Sequence, residues 1–135
     1  MASAIYNKAK ESFLSQNPSI DMDTDTIKVA LVNTSTDYTY SASHQYLSSV
    51  TTYSGTTDQT LGSKTVTNGT FDAADSTFTS VAISGSKTVQ ALVIYKDTGN
   101  AATSPLIAYI DGFSAVTPNG GNITITWNAS GIFAL

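Results

Sequence analysis

Three aspartates at alternate positions, Asp21, Asp23 and Asp25 in "SIDMDTDTIKVALVN" (19–33), form the closest-spaced carboxylate group in the sequence. Carboxylates at this spacing open calcium-binding loops, because their oxygens can converge on one hard cation. An EF-hand loop also needs a glycine at its sixth position and a bidentate glutamate at its twelfth. Counted from Asp21, those positions are Thr26 and Val32, so the motif fails. The segment reads as a polar loop feeding a strand, its side chains bonding nearby backbone N–H groups. Asp72 and Asp75 in "FDAADS" are a second pair. Acid–base work by two carboxylates needs burial that drives their pKa values apart, and these fall at a turn.

His44 in "SASHQ" is the only histidine. Asp37 or Asp58 could complete a triad with one of the many serines, but the chain has no G-x-S-x-G elbow to present a nucleophile. His44 therefore reads as a surface histidine. One histidine and no cysteine leave zinc without enough ligands. Neither phosphate-binding glycine motif, G-x-x-x-x-G-K-[ST] or G-x-G-x-x-G, occurs. These residues predict no catalytic residue, no bound cofactor and no metal, and a protein that is not an enzyme.

Composition sets the class. At 135 residues the chain fits one domain, 1–135, large enough to bury a core without covalent staples. Hydrophobic residues make up 41% but charged residues only 12%, about half the usual share for a soluble domain. Its polar surface must come from Ser, Thr, Asn and Gln, and so sparse a charge hinders association poorly. The net charge is −4; Lys8 and Lys10 sit together, two residues apart, Lys28, Lys64, Lys87 and Lys96 are scattered, and arginine is absent. That is no footprint for a phosphate backbone, so nucleic acid is not an expected partner. The first residues lack a basic region followed by an apolar run, and no apolar stretch approaches the ~20 residues that span a bilayer, so neither secretion nor a membrane is expected. With no cysteine, synthesis in a reducing cytoplasm fits.

The elements follow from periodicity. Ile5, Ala9 and Phe13 recur at i+4 spacing and Ser3 can cap, so a helix is predicted over about 3–15, ended by "QNPS". So short a helix must dock its apolar stripe on the domain or on a neighbouring subunit. From about 26 to 135 the period is that of strands. "TIKVALVN" places Ile27, Val29 and Leu31 on one face and Lys28, Ala30 and Val32 on the other. "TVQALVIYKD" (88–97) is apolar on both faces, as a central strand must be, and "DTGNAATS" joins it to "SPLIAYIDG" (104–112) as an antiparallel hairpin. Short strands are expected near 64–67, 70–72 and 77–81, with a turn at Asn68–Gly69. "GNITITWN" alternates with Ile123, Ile125 and Trp127 inward, and "GIFAL" ends the chain in a strand tucked into the sheet. The fold class is mainly β: an antiparallel β-sandwich or jelly-roll-like domain with one N-terminal α-helix.

Residues 33–59 are the odd stretch, with Tyr38, Tyr40, Tyr46 and Tyr53 among serines and threonines and a short helix expected around 45–50. Exposed tyrosine among small polar residues suits an adaptable binding loop; the competing reading has these rings covering the open end of the sandwich, as aromatic side chains mostly serve packing.

"IYNKAKESFL", "DMDTDTIKVALV", "FDAADSTFTSVAISG", "ALVIYKDTGNAATSPLIAYID" and "VTPNGGNITITWNASGIFAL" together resemble a family of small tailed-phage and prophage virion structural proteins. The match spans nearly the whole chain and is least recognisable at 33–59. The resemblance implies a β-rich virion component resembling capsid decoration, or cement, proteins. Such proteins are made in the host cytoplasm, sit on the capsid surface against the major capsid protein, and often form homo-oligomers, trimers among them. It carries over no catalytic residue. The contact elements would be the helix stripe, Ile5 and Phe13, and the aromatic patch, Tyr38, Tyr40, Tyr46 and Tyr53. The alternative is a tail, fibre or baseplate component that stacks host-surface carbohydrate on those tyrosines.

Overall fold

The computed structural model describes residues 4–135. Its centre is a strand buried on both sides. β7 (Ala91–Lys96) lies between β2 (Ile27–Val32) and β8 (Leu106–Ile110), each paired antiparallel, and β1 (Ala4–Ile5) and β3 (Gln59–Thr60) form the edges, in the order β1-β8-β7-β2-β3. The register runs Ile27↔Lys96 to Val32↔Ala91 on one side and Leu92↔Ile110, Val93↔Tyr109 and Ile94↔Ala108 on the other. Tyr95 then pairs with Leu106, so β8 carries one extra residue at Ile107. That bulge lets Ile107 and Ala108 face the same core, against the strict alternation a regular strand imposes.

Each face of this sheet has its own cover. Ile27, Val29, Leu31, Leu92 and Ile94 join Phe71, Phe78 and Val81 in one buried cluster. Ala30, Val32, Ala91, Val93, Tyr95, Leu106 and Tyr109 join Tyr6, Ala9, Tyr38 and Val50 in the other.

The first cover is a long bent ribbon. The chain leaves the sheet at β3, continues into β4 (Thr65–Thr67), turns at Asn68–Gly69, and returns as β5 (Thr70–Asp72) and β6 (Ser76–Phe78). Both turn residues have positive φ, 51° and 79°, the geometry of a two-residue hairpin whose twist matches its strands. An Ala74 N–H to Gly62 carbonyl bond of 2.9 Å carries the pairing across the bend. β9 (Ile123–Ile125) then pairs with β6, and β10 (Phe133–Ala134) with β5. Antiparallel sheets facing across a common core, with one helix, make this a mainly-β sandwich.

The second cover is α1 (Asn7–Ser15) with the segment from Tyr38 to Val50, which includes a 3₁₀ turn at Leu47–Ser49. The helix docks on its own domain: Ala9 and Ser12 are buried, Phe13 packs against both clusters, and Lys8 and Glu11 pair on the wet side at 2.8 Å. It starts later than the i+4 spacing predicts. Ala4 and Ile5 are strand, paired with Tyr109 and Ala108, and Tyr6 bonds through its N–H to the Ile107 carbonyl. The open edge of β8 thus takes up the backbone groups that a longer helix would have used internally. Ile5 accordingly belongs to β1 and not to the helix stripe, and the proposed Ser3 cap lies outside the described residues. The helix ends as Gln16 enters the left-handed region at φ 59°, its N–H returning to the Ser12 carbonyl.

Truncation at the two-faced strand should be the most costly. Ile94→Ala leaves a cavity against Ile27 and Phe78 and is expected to lower the unfolding free energy by about 2–5 kcal/mol. Leu14→Ala, at a helix position 89% exposed, should change it by under about 0.5 kcal/mol. Urea denaturation of both variants checks the contrast.

Candidate contact surfaces

The Asp21 and Asp25 carboxylates of the 21–25 loop are engaged with backbone and lysine, and Asp23 takes part through its N–H. Asp21 Oδ1 accepts from the N–H groups of Asp23 and Thr24 at 3.0 and 3.2 Å. The Thr24 side chain, and then these two N–H groups, hold the Asp21 carboxyl below the usual carboxylate range. Asp25 Oδ2 accepts from the Asp21 N–H at 2.8 Å and pairs with Lys96 Nζ at 3.0 Å, while Lys64 Nζ donates to the Asp25 carbonyl. Lys96 also reaches the Ser19 carbonyl at 2.8 Å. The loop is therefore pinned to β7 and to the ribbon. No group of three or more His, Asp or Glu side chains among the described residues is placed to hold a metal ion.

A second polar cluster lies where β2 begins and β7 ends. Lys28 Nζ meets Asp97 Oδ2 at 3.0 Å, and Asp97 Oδ1 accepts from the Gly99 N–H at 2.9 Å. The Gly99 bond, then Lys28, keeps the Asp97 carboxyl low. Tyr95 donates its hydroxyl to Asp58 Oδ2 at 2.5 Å. Burial pushes the Asp58 carboxyl up, against the opposing pull of Tyr95 and Lys28, and burial with that bond raises the Tyr95 phenol. Asp58 and Asp97 line none of the clefts described below.

The pieces of a possible triad are apart. His44 Nδ1 is bonded at 2.8 Å to the Tyr38 hydroxyl, Asp37 pairs with Lys87 at 2.7 Å, and Asp58 holds Tyr95. Asp72 accepts from the Ala73 N–H and Asp75 from the Trp127 N–H, so each sets local backbone.

The tyrosines divide. Tyr38 and Tyr53 are 5% and 1% exposed, which makes them core side chains in the folded chain and not a free face. Tyr53 donates its hydroxyl to the Ala82 carbonyl at 2.7 Å. Tyr40 is half-buried, its ring 4.7 Å from Tyr109 and 5.2 Å from Tyr6. Tyr46, also half-buried, bridges to Pro105. Tyr38 and Tyr40 thus cover the second core, while Tyr53 is part of the first. Tyr6 and Tyr109 belong to the same aromatic group; both lie outside the stretch whose composition drew attention.

Two apolar clefts open on the other side. One, of about 520 Å³, lies between α1, the aspartate loop and the ribbon, where Phe13, Val66, Phe71, Phe133 and Leu135 line it. Val66 is 51% and Leu135 70% exposed there, so β10 is tucked into its sheet as the sequence predicts while the terminal side chain stays outside. The second, of about 500 Å³, runs under the segment joining β9 to β10, lined by Leu92, Ile110, Phe113, Ile125 and Trp127. Of the expected contact residues, Phe13 lies in the first cleft and Ile5 beside a smaller one near β10. Val66 and Leu135 carry a weak signal in sequence: single apolar residues in short polar or terminal segments.

Comparison with known proteins finds no matching family model, no similar curated sequence and no similar solved structure.

The carboxylates define a pH profile with two opposing parts. Asp21 and Asp97, held low, stabilise the fold above their unfolded value of 3.8, and that gain is lost as pH falls through their lower folded values. Asp58, held high, binds its proton more tightly when folded, so stability rises as pH falls through its folded value toward 3.8. Asp58→Asn keeps an acceptor for Tyr95 without the buried charge. It should be at least as stable as the parent at pH 7 and should lose the gain that the parent shows as pH falls from there toward 3.8. Denaturant midpoints across that range test this; a variant that keeps the gain would contradict it.

Proposed function

We propose that this chain is a bacteriophage virion structural protein, a capsid decoration or cement protein that reinforces the head shell, and that it is not an enzyme. The observation that carries the reading is the apolar end formed by Val66, Leu135 and half-buried Phe13 beside the free edge of β4. Among the described residues β4 pairs only with β5, and all three of its residues are exposed. An open strand edge beside exposed apolar side chains is a surface for association. Complete burial of such a side chain from water contributes about 1.5–3 kcal/mol; these three, already partly covered, would add a fraction of that each, and a shell repeats the contact many times. A chain with only 12% charged residues has a surface that loses little charge hydration when covered. The resemblance of the helix, aspartate-loop and hairpin segments to small virion proteins points the same way.

In this reading the major capsid protein and further copies of the chain are the partners, and the outer capsid surface is the location. The tail or baseplate reading depends on an exposed aromatic face for sugar. With Tyr38 and Tyr53 in the core, that face is reduced to parts of Tyr40 and Tyr46, and the head reading is preferred.

Quantitative mass spectrometry of purified particles should find the chain at a copy number comparable to the major shell protein; a copy number fitting one ring or a few fibres would overturn the head assignment. The double variant Val66→Asp/Leu135→Asp, at exposed positions, should fold normally and fall at least about tenfold in particle incorporation. Undiminished incorporation would remove the apolar end from the interface.

A further inference from the structure

The single histidine ends a short chain of buried hydroxyls. Tyr6 Oη lies 2.8 Å from Tyr38 Oη, and Tyr38 Oη lies 2.8 Å from His44 Nδ1. Tyr6 is fully buried and Tyr38 is 5% exposed. The three heavy atoms form two gaps, and two hydrogen bonds need two protons. With His44 neutral and its proton on Nε2, the two hydroxyls supply them: Tyr6 donates to Tyr38, and Tyr38 donates to Nδ1.

A proton added to the imidazole occupies Nδ1. There are then three protons for two gaps, and one hydroxyl hydrogen is left with no acceptor in the row. Tyr6 Oη has no other hydrogen-bond partner among the described residues. Tyr40 and Tyr109 surround the pair with ring edges and faces, a weak substitute for an oxygen acceptor. A buried donor without a partner is costly.

Among the described residues no charged group is paired with His44 to offset this. The groups facing His44 are Tyr38 on its own segment, Tyr6 at the β1–α1 junction, and Tyr40 and Tyr109 beyond them, with Asp111 acting on Tyr109 from the end of β8. No carboxylate forms an ion pair with His44 among the described residues; the nearest in sequence, Asp37, is held by Lys87.

What the row holds is the junction between strand and helix. Tyr6 bonds through its N–H to the Ile107 carbonyl and through its carbonyl to the Lys10 N–H, and Asn7 bonds to Ala42 in the His44 segment. We infer that Tyr6, Tyr38 and His44 form an acid-sensitive clasp, which at neutral pH fastens the N-terminal strand–helix unit to the sheet and loosens it when His44 is protonated. The inference stands independently of the proposed role in a virion.

Amide hydrogen exchange on the full chain at pH 7.5 and 5.0, corrected for intrinsic rates, tests it. Protection of the helix amides from Lys10 to Ser15 should fall roughly tenfold relative to β7 amides in the wild type, and the ratio should stay constant in His44→Gln, whose side-chain carbonyl accepts without titrating. An unchanged ratio in the wild type, or the same fall in H44Q, would overturn the clasp. A second readout needs no variant: imidazole ¹⁵N shifts of the wild type at pH 7.5 should show the Nε2–H tautomer. A proton on Nδ1 at that pH would overturn it equally.

Discussion

Everything in this molecule follows from one strand that is buried on both faces. β7 presents Leu92 and Ile94 to one side and Ala91, Val93 and Tyr95 to the other, all within 3% of full burial. A strand of that kind needs a cover on each side and a hydrogen-bonded neighbour along each edge. β2 and β8 are the neighbours. The bent ribbon with β9 and β10 is one cover; the helix with the tyrosine segment is the other. The bulge at Ile107 is the local adjustment that puts two apolar residues of β8 into the larger core.

The few charges are placed by the same constraint. Lys28 and Lys96 sit near the ends of β2 and β7, where they reach Asp97 and Asp25, and Lys64 ties the ribbon to the aspartate loop. Of the carboxylates that look chemical in sequence, Asp25 anchors its loop to the end of β7, and Asp21, Asp72 and Asp75 accept from backbone N–H groups. Polar closure of the second cover falls to phenols: Tyr6 and Tyr38 bond to each other, and Tyr95 to Asp58. Tyrosine suits that place because its ring fills the core while its hydroxyl finds a partner.

The β-rich class, the central strand and its hairpin were legible because they rest on short-range pattern. Apolar residues on both faces of 91–96, the short apolar run 27–32 and the Asn68–Gly69 turn each report a local preference that packing reinforces. The start of the helix was not legible, since the unpaired edge of β8, a distant element, decides that Ala4 and Ile5 are strand. That Tyr38 and Tyr53 pack was one of the two readings the sequence offered, but which partners bury them was hidden. Composition places them in a polar stretch, whereas their environment is set by Tyr6, Tyr109, Leu31 and Ala82, far away in sequence. Exposed Val66 and Leu135 became visible only once the ribbon showed which edge has no partner.

The fold thus spends its aromatic groups and carboxylates on its own cohesion and leaves an apolar end uncovered beside a free strand edge. The reading of this end as an assembly contact is tested most directly by hydrogen exchange of the chain, free and bound to purified particles. Added protection should appear at Thr65–Thr67, at the C-terminal strand and at the Phe13–Leu14 turn of the helix. Protection confined to the tyrosine segment, or no change anywhere on binding, would contradict it.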